Sequence, residues 1–242
     1  MKQFRAGIGL LLLLIVWHLV SLKQSVLIPP LSQIGSQFWF LLESGLLLED
    51  MVSSVFRIML GLVISTSLAI VLGLIAAFWA QFSDYLSAIF ELVRPVPPIA
   101  WVPVAIIAFG IGYKAAVAIV ALGSFFPIWL GIQQGLANLN HAHLLAARSL
   151  GAGRVLTVFE IIVPSVFPYF LHGLRLGVGI AWFCVIAAEM VGSTSGLGYG
   201  VQLFSLNIEM PRVYCYLLAI GVLGLCSNYL VQHLSDRLVK WR

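Results

Sequence analysis

Residues 56–80 read FRIMLGLVISTSLAIVLGLIAAFWA, an apolar run whose one charged residue is Arg57. A helix rises about 1.5 Å per residue, so about 20 such residues cross the hydrocarbon core of a bilayer. In hydrocarbon every backbone N–H and C=O needs an internal partner, which leaves only helices or a closed barrel. A run of this length selects a helix. Along it Gly61, Ser65, Ala69, Gly73 and Ala77 recur at every fourth position, a stripe of small residues that lets a neighbouring helix approach closely.

The rest of the chain has the same character. Of its 242 residues 61% are hydrophobic and 9% charged, with a mean hydropathy of +1.06, whereas soluble domains carry about 25% charged residues. A water-soluble fold is excluded, and the expected fold class is an all-α integral membrane protein. At about 20 residues per span, residues 1–242 make about six transmembrane helices in a single transmembrane domain.

Ala6 to Leu22 follows Lys2 and Arg5 as a signal peptide would, but no small-x-small cleavage site comes after it, so it reads as a retained first helix. Beyond Pro29-Pro30, Leu31 to Asp50 mixes Phe38, Trp39 and Phe40 with Glu43, Glu49 and Asp50, which suits an interfacial helix on the outer face. Ser83 and Asp84 are candidate caps for a third helix reaching Phe109. Pro95, Pro97 and Pro98 should kink or break it, and Gly110-Ile111-Gly112 turns the chain.

The fourth span, Ala115 to about Gly131, carries Gly123, Pro127, Gly131 and then Gly135. The fifth, about Pro168 to Met190, carries Gly173, Gly177, Ala181, Cys184 and Ala188. Val191 to Met210 holds four glycines and reads as a flexible outer loop, and Pro211 to Leu234 is the last span. The aromatic residues are expected mostly at lipid-facing or interfacial positions.

The net charge of +4 comes from scattered basic residues, which set orientation and give no footprint for nucleic acid. Lys2, Arg5, Arg94, Arg148, Arg154, Arg237, Lys240 and Arg242 fall on the cytoplasmic side of this threading, with Lys23, Arg57, Lys114 and Arg212 outside. Both termini are then cytoplasmic, in a multi-pass protein of the cell (inner) membrane. Cys184, Cys215 and Cys226 lack metal-type spacing and read as reduced packing residues. No hydrolase motif and no G-x-x-x-x-G-K-[ST] phosphate loop occurs. If the chain pumps, another polypeptide hydrolyses ATP, and this chain needs no cofactor of its own.

Residues 138–164 form the longest polar-leaning internal segment on the cytoplasmic side. His141 to Gly153 reads as one short helix with Asn138 or Asn140 as cap and Gly151 at its end. Ala142, Ala146, Ser149 and Gly153 put small groups on one face, fit to press into a groove on a partner. The plainer reading is a connecting helix lying under the bundle.

These residues resemble the cytoplasmic signature of binding-protein-dependent ABC importer permeases, E-A-A-x-x-x-G followed by Pro. Leu145-Ala146-Ala147, Gly151 and Pro164 keep its register. The resemblance extends through the Arg94 to Pro103 segment, Phe109 to Gly112, Gly173-Leu174-Arg175, Ala181-Trp182, and Ala188-Glu189-Met190 ahead of Gly196-Leu197-Gly198. It covers about residues 50–230 and looks like the nitrate/sulfonate/taurine/bicarbonate branch, which also includes permeases for hydroxymethylpyrimidines.

The resemblance implies a type I ABC importer permease bundle in a homodimer. Two ATP-binding subunits, carrying ATP and Mg, would dock on the short helices, and an extracytoplasmic substrate-binding protein would deliver solute. His143, Leu144, Leu145, Ala146, Ala147, Arg148, Gly151 and Pro164 are thereby the expected ATPase-coupling residues. Leu145 stands where the family has Glu, so an apolar contact replaces an acidic one. The solute is expected to be a small anion, the alternatives being a neutral vitamin precursor or a secondary transporter or channel.

Arg94, Arg175 and Glu189 are the candidate pathway or gate residues. A charge at mid-bilayer costs about 2.5 to 3.5 kcal/mol on insertion scales, so Arg94 should lie at the cytoplasmic boundary or face a wet cavity. Arg175, one turn after His172, either caps carbonyls or meets a carboxylate, or it contacts an anion in transit. Glu189 either pins the glycine-rich outer loop or binds a cation. His141 and His143 read as polar helix residues, since no third metal ligand stands nearby.

Overall fold

The computed structural model describes residue 12, residues 15–23 and residues 27–238, apart from the side chains of Ala80, His141 and Arg148. The first expected span therefore lies largely outside the described residues. Residues 15–23 are helical, and Trp17 ties them down by donating to the Pro29 carbonyl at 3.1 Å and packing edge-on against Tyr214.

The helices that follow are α1 (Leu31–Glu43), α2 (Leu46–Phe78), α3 (Ala80–Val93), α4 (Val102–Phe109), α5 (Tyr113–Ala137), α6 (His141–Ser149), α7 (Arg154–Gly192), α8 (Leu197–Leu206) and α9 (Met210–Leu238). Four of them, α2, α5, α7 and α9, are long and apolar enough to cross a membrane. The stretches Gln81–Val93 and Pro98–Phe109 are together apolar enough for one more, but bend by 80° at the break between them, as a broken span or a re-entrant loop does. Proline removes a backbone donor and restricts the residue before it, which accounts for a break at Pro95 to Pro98.

Several boundaries differ from the sequence reading. The expected interfacial helix splits at Gly45, whose φ of +78° is left-handed; residues 46–50 therefore open α2. Ser83 does not cap α3, which begins at Ala80; its hydroxyl donates instead to Gln133 Oε1 on α5 at 3.0 Å. The fifth span is the upper part of α7, which starts at Arg154. The segment expected as a flexible loop, residues 191–210, is largely helical instead, and α8 within it buries Leu197, Gly198, Gly200 and Phe204.

Helix α5 is the centre of the bundle. Of its most apolar window 67% is buried inside the protein, against 22% for α9. The small-residue stripes explain the approach. Gly61 and Gly73 of α2 take Val120 and Ile132 of α5 against their backbones, and the hydroxyls of Ser65 and Ser124 hydrogen-bond at 2.9 Å between them. On the other side of α5, Gly131 faces the Tyr169 carbonyl and Gly173 of α7.

The aromatic residues divide. Trp39, Tyr85, Phe183 and Tyr229 are exposed, but Phe125 and Trp129 are buried, with Phe90 edge-on to both at 5.2 and 5.5 Å. Offset ring packing fastens α3 to α5 where proline denies the third span a continuous helix. Cys184 and Cys215 are buried and Cys226 is exposed, all three as free thiols.

Candidate functional site

Helix α6 stands at one end of the bundle, between α5 and α7. Asn140 caps it by accepting the Ala142 N–H at 2.9 Å. Gly151 ends it at φ +79°, as Ala152 N–H returns to the Ala147 carbonyl at 2.9 Å. A left-handed residue after a helix favours glycine because a Cβ is strained there.

Below α6 the chain enters α7 through a π-helical stretch, Val158–Ile162. Pro164 can offer no N–H to the Glu160 carbonyl and its ring crowds that oxygen, and such mismatches are absorbed where the helix locally changes its turn. Between α6 and this base lies a groove of about 790 Å³ lined by His143, Ala146, Ala147, Gly151, Glu160 and Pro164. Five predicted coupling residues thus share one surface. Leu144 and Leu145 do not line the groove, and Leu145 is 61% exposed beside it. The Arg148 backbone belongs to α6, while its side chain lies outside what the structure describes.

A second cavity, about 960 Å³, opens between α5, α7, α9 and the break after α3. It brings together Arg94, Gln134, His172, Arg175, Trp182 and Asn228. Gly123, Gly131, Gly173 and Gly179 also line it, and of these only Gly179 has open space where a Cβ would stand. Arg175 Nε donates to Asn228 Oδ1 at 3.2 Å, and Trp182 Nε1 donates to Ser227 Oγ at 2.7 Å. The described ion pairs are Arg57 with Glu189 and Arg212 with Glu209, so neither Arg94 nor Arg175 has a carboxylate partner among the described residues.

Glu189 lies apart from that cavity, at the opposite end from α6. Its fully buried carboxylate is paired with Arg57 and accepts the Ser54 hydroxyl and, at 2.9 Å, the Gly198 N–H. Arg57 also donates to the Ser195 carbonyl and hydroxyl at 2.7 and 2.6 Å. Leu197 N–H reaches Ser54 Oγ at 2.8 Å, and Gly196 N–H reaches Asp50 Oδ1 at 2.6 Å. The orphan N–H groups that open any helix are here met, for α8, by side chains of α2 and α7.

Sequence reasoning put Arg57 on the outer side without a partner, read Asp50 as the end of an interfacial helix and gave Ser54 no role. The signal was present: Asp50, Ser54 and Arg57 stand at i, i+4 and i+7, one face of α2, in line with the stripe from Gly61 onward. Tyr216, which donates to Asp50 Oδ2 at 2.7 Å, had no such signal.

Against known families, the profile described as "binding-protein-dependent transport system inner membrane component" matches residues 69–240. The chain belongs to this family. A probable ABC transporter permease of Brucella abortus is 32% identical over 99% of this chain and 94% of its own length. The taurine transport system permease of Escherichia coli is 30% identical over 99% of this chain and 90% of its own. The bicarbonate transport system permease of Synechococcus elongatus is 28% identical over 96% and 85%.

The fold resembles a chain of the inward-facing MetNI methionine ABC transporter, with a TM-score of 0.65 at 19% identity over 81% of this chain and 95% of that one. At such identity the likeness speaks to fold alone, a type I importer permease bundle. The binding-protein-dependent family and the bundle together make this chain a multi-pass permease of an ABC importer.

Proposed function

We propose that this permease works as a pair of identical subunits that import a small anion, with ATP and Mg held on two separate ATPase subunits. The observation that carries the reading is the groove between α6 and the base of α7, where His143, Ala146, Ala147, Gly151 and Pro164 meet. Small residues keep its floor low, so a partner can seat against backbone, and Leu145 and Leu150 stand exposed beside it as apolar anchors. The α6 end is cytoplasmic, as are both termini, and the membrane is the cell (inner) membrane.

At the far end the α8 cap faces the extracytoplasmic side, where a binding protein delivers solute. Closure of the ATPases moves the α6 helices together, and the glycine-lined contacts of α5 with α7 let the spans slide. Anions are supported by the relatives named for taurine and bicarbonate, both of which carry an oxyanionic group.

The test is reconstitution with the cognate ATPase and binding protein in proteoliposomes, following uptake of labelled taurine, methanesulfonate, nitrate and bicarbonate. Uptake of at least one should require ATP. Gly151→Asp and Ala147→Glu should each lose both ATPase co-purification and uptake; undiminished uptake would remove the coupling assignment. Solute movement by this chain alone in liposomes would favour a channel or secondary carrier.

A further inference from the structure

Arg57 of α2 and Arg175 of α7 both lie inside long apolar helices, and the fold treats them in opposite ways. Arg57 of α2 is 5% exposed and is neutralised by Glu189. Arg175, near the middle of the 39-residue α7, is held by one neutral group, the Asn228 carbonyl oxygen at its Nε. No other acceptor binds its guanidinium among the described residues. A cation within a membrane-spanning helix ordinarily pairs with an acid or faces a water-filled space.

The space it borders is one-sided in charge. Two guanidiniums, of Arg94 and Arg175, the imidazole of His172 and the amides of Gln134 and Asn228 stand on the wall, and among the described residues no Asp or Glu does. An aspartate at 228 would have satisfied Arg175 and cancelled it. Asparagine fixes the Nε side of the planar fork and leaves both Nη groups, with full charge, to another acceptor. That fork matches two oxygens of a carboxylate, sulfonate, nitrate or bicarbonate.

We infer that this cavity is an oxyanion subsite within the permease itself, with Arg175 as the anion-contacting residue, Asn228 as its positioning residue and Arg94 as a second charge. It rests on the reading of this chain as an anion importer and goes further, since that reading alone needs no binding group between the delivery protein and the cytoplasm. At about 960 Å³ the cavity far exceeds one small oxyanion, so the ion is held loosely with its water. A transit site must bind weakly enough to let go.

The test uses the purified permease–ATPase complex in lipid nanodiscs, in a low-chloride buffer that holds no carboxylate, phosphate or other oxyanion. Methanesulfonate is the probe, its methyl resonance followed by saturation-transfer NMR, with nitrate and bicarbonate as competitors. The wild-type complex should show transfer that either competitor displaces. Arg175→Gln should weaken binding about tenfold or more, the scale of a hydrogen bond to a charged group. Arg175→Lys should retain part of it.

Asn228→Asp is the decisive variant, because it keeps the hydrogen bond and changes only the charge; it should lose binding as Arg175→Gln does, with an unchanged melting temperature. No transfer in the wild type, or wild-type binding in Asn228→Asp, overturns the subsite. If Asn228→Asp imports an anion with wild-type KM, the subsite falls and the importer stands. If the wild type binds methanesulfonate but the full transporter imports no anion, the importer reading falls and the subsite stands.

Discussion

The guanidinium of Arg57 and the carboxylate of Glu189 form a buried ion pair between positions 132 residues apart in the chain. Through Ser54, Ser195 and Gly198 the pair also holds the start of α8, so α2, α7 and α8 make one block at the end opposite α6. Breaking such a pair by removing one partner costs about 3 to 5 kcal/mol, because the other charge is left buried alone. Glu189→Gln should lower the melting temperature of the purified permease clearly. Arg57→Met combined with Glu189→Met should cost less than the two single changes summed, a difference that thermal unfolding in one detergent would read.

Tyr216 braces the same block from α9 through Asp50. Tyr216→Phe keeps the ring against Gly200 and removes one hydrogen bond, worth about 1 kcal/mol. The expected outcome is a small drop in melting temperature with transport retained. Gly200→Ala is the harsher change, since a Cβ there meets the Tyr216 ring.

Gly131 and Gly173 let α5 and α7 touch backbone to backbone. A Cβ at Gly173 would stand 2.6 Å from the Pro127 carbonyl, and overpacking of this kind costs about 1 to 3 kcal/mol. Gly173→Ala should reduce folded yield in size-exclusion chromatography of the solubilised protein. Gly179→Ala, which meets nothing within 4 Å, should leave the yield unchanged.

Leu145 offers a test of how the ATPase is held. Its side chain is 61% exposed next to the groove, so a change there acts on the partner and not on the core. Leu145→Glu restores the acid of the family signature in place of an apolar contact, so retention of the ATPase during co-purification should fall more steeply with salt than in the wild type. Leu145→Lys should shed it sooner.

The spans and the break were legible because they rest on local rules. A bilayer sets helix length, and Pro95 to Pro98 forbids a continuous third helix. The small-residue stripes of α2, α5 and α7 were legible as faces, and the structure pairs those faces with one another. Helix α8 was hidden because the four glycines of residues 191–210 signal flexibility, whereas what orders it comes from Asp50 and Ser54, far off in the chain, together with Glu189. The start of α7 was hidden by Pro164 and Pro168, which usually end helices; here a π-helical stretch carries the chain past Pro164, and Pro168 sits inside the α-helix that follows.

That stretch, Val158–Ile162, also sets a phase. A residue added to or removed from a helix turns all that follows by about 100° at 3.6 residues per turn. Deleting one residue there would hardly shorten the rod. It would swivel α6 and its groove about the axis of α7, so that a push delivered at one end arrived on the wrong face at the other. For this permease, length variation at the base of α7 is a question of angular alignment between motor and pathway.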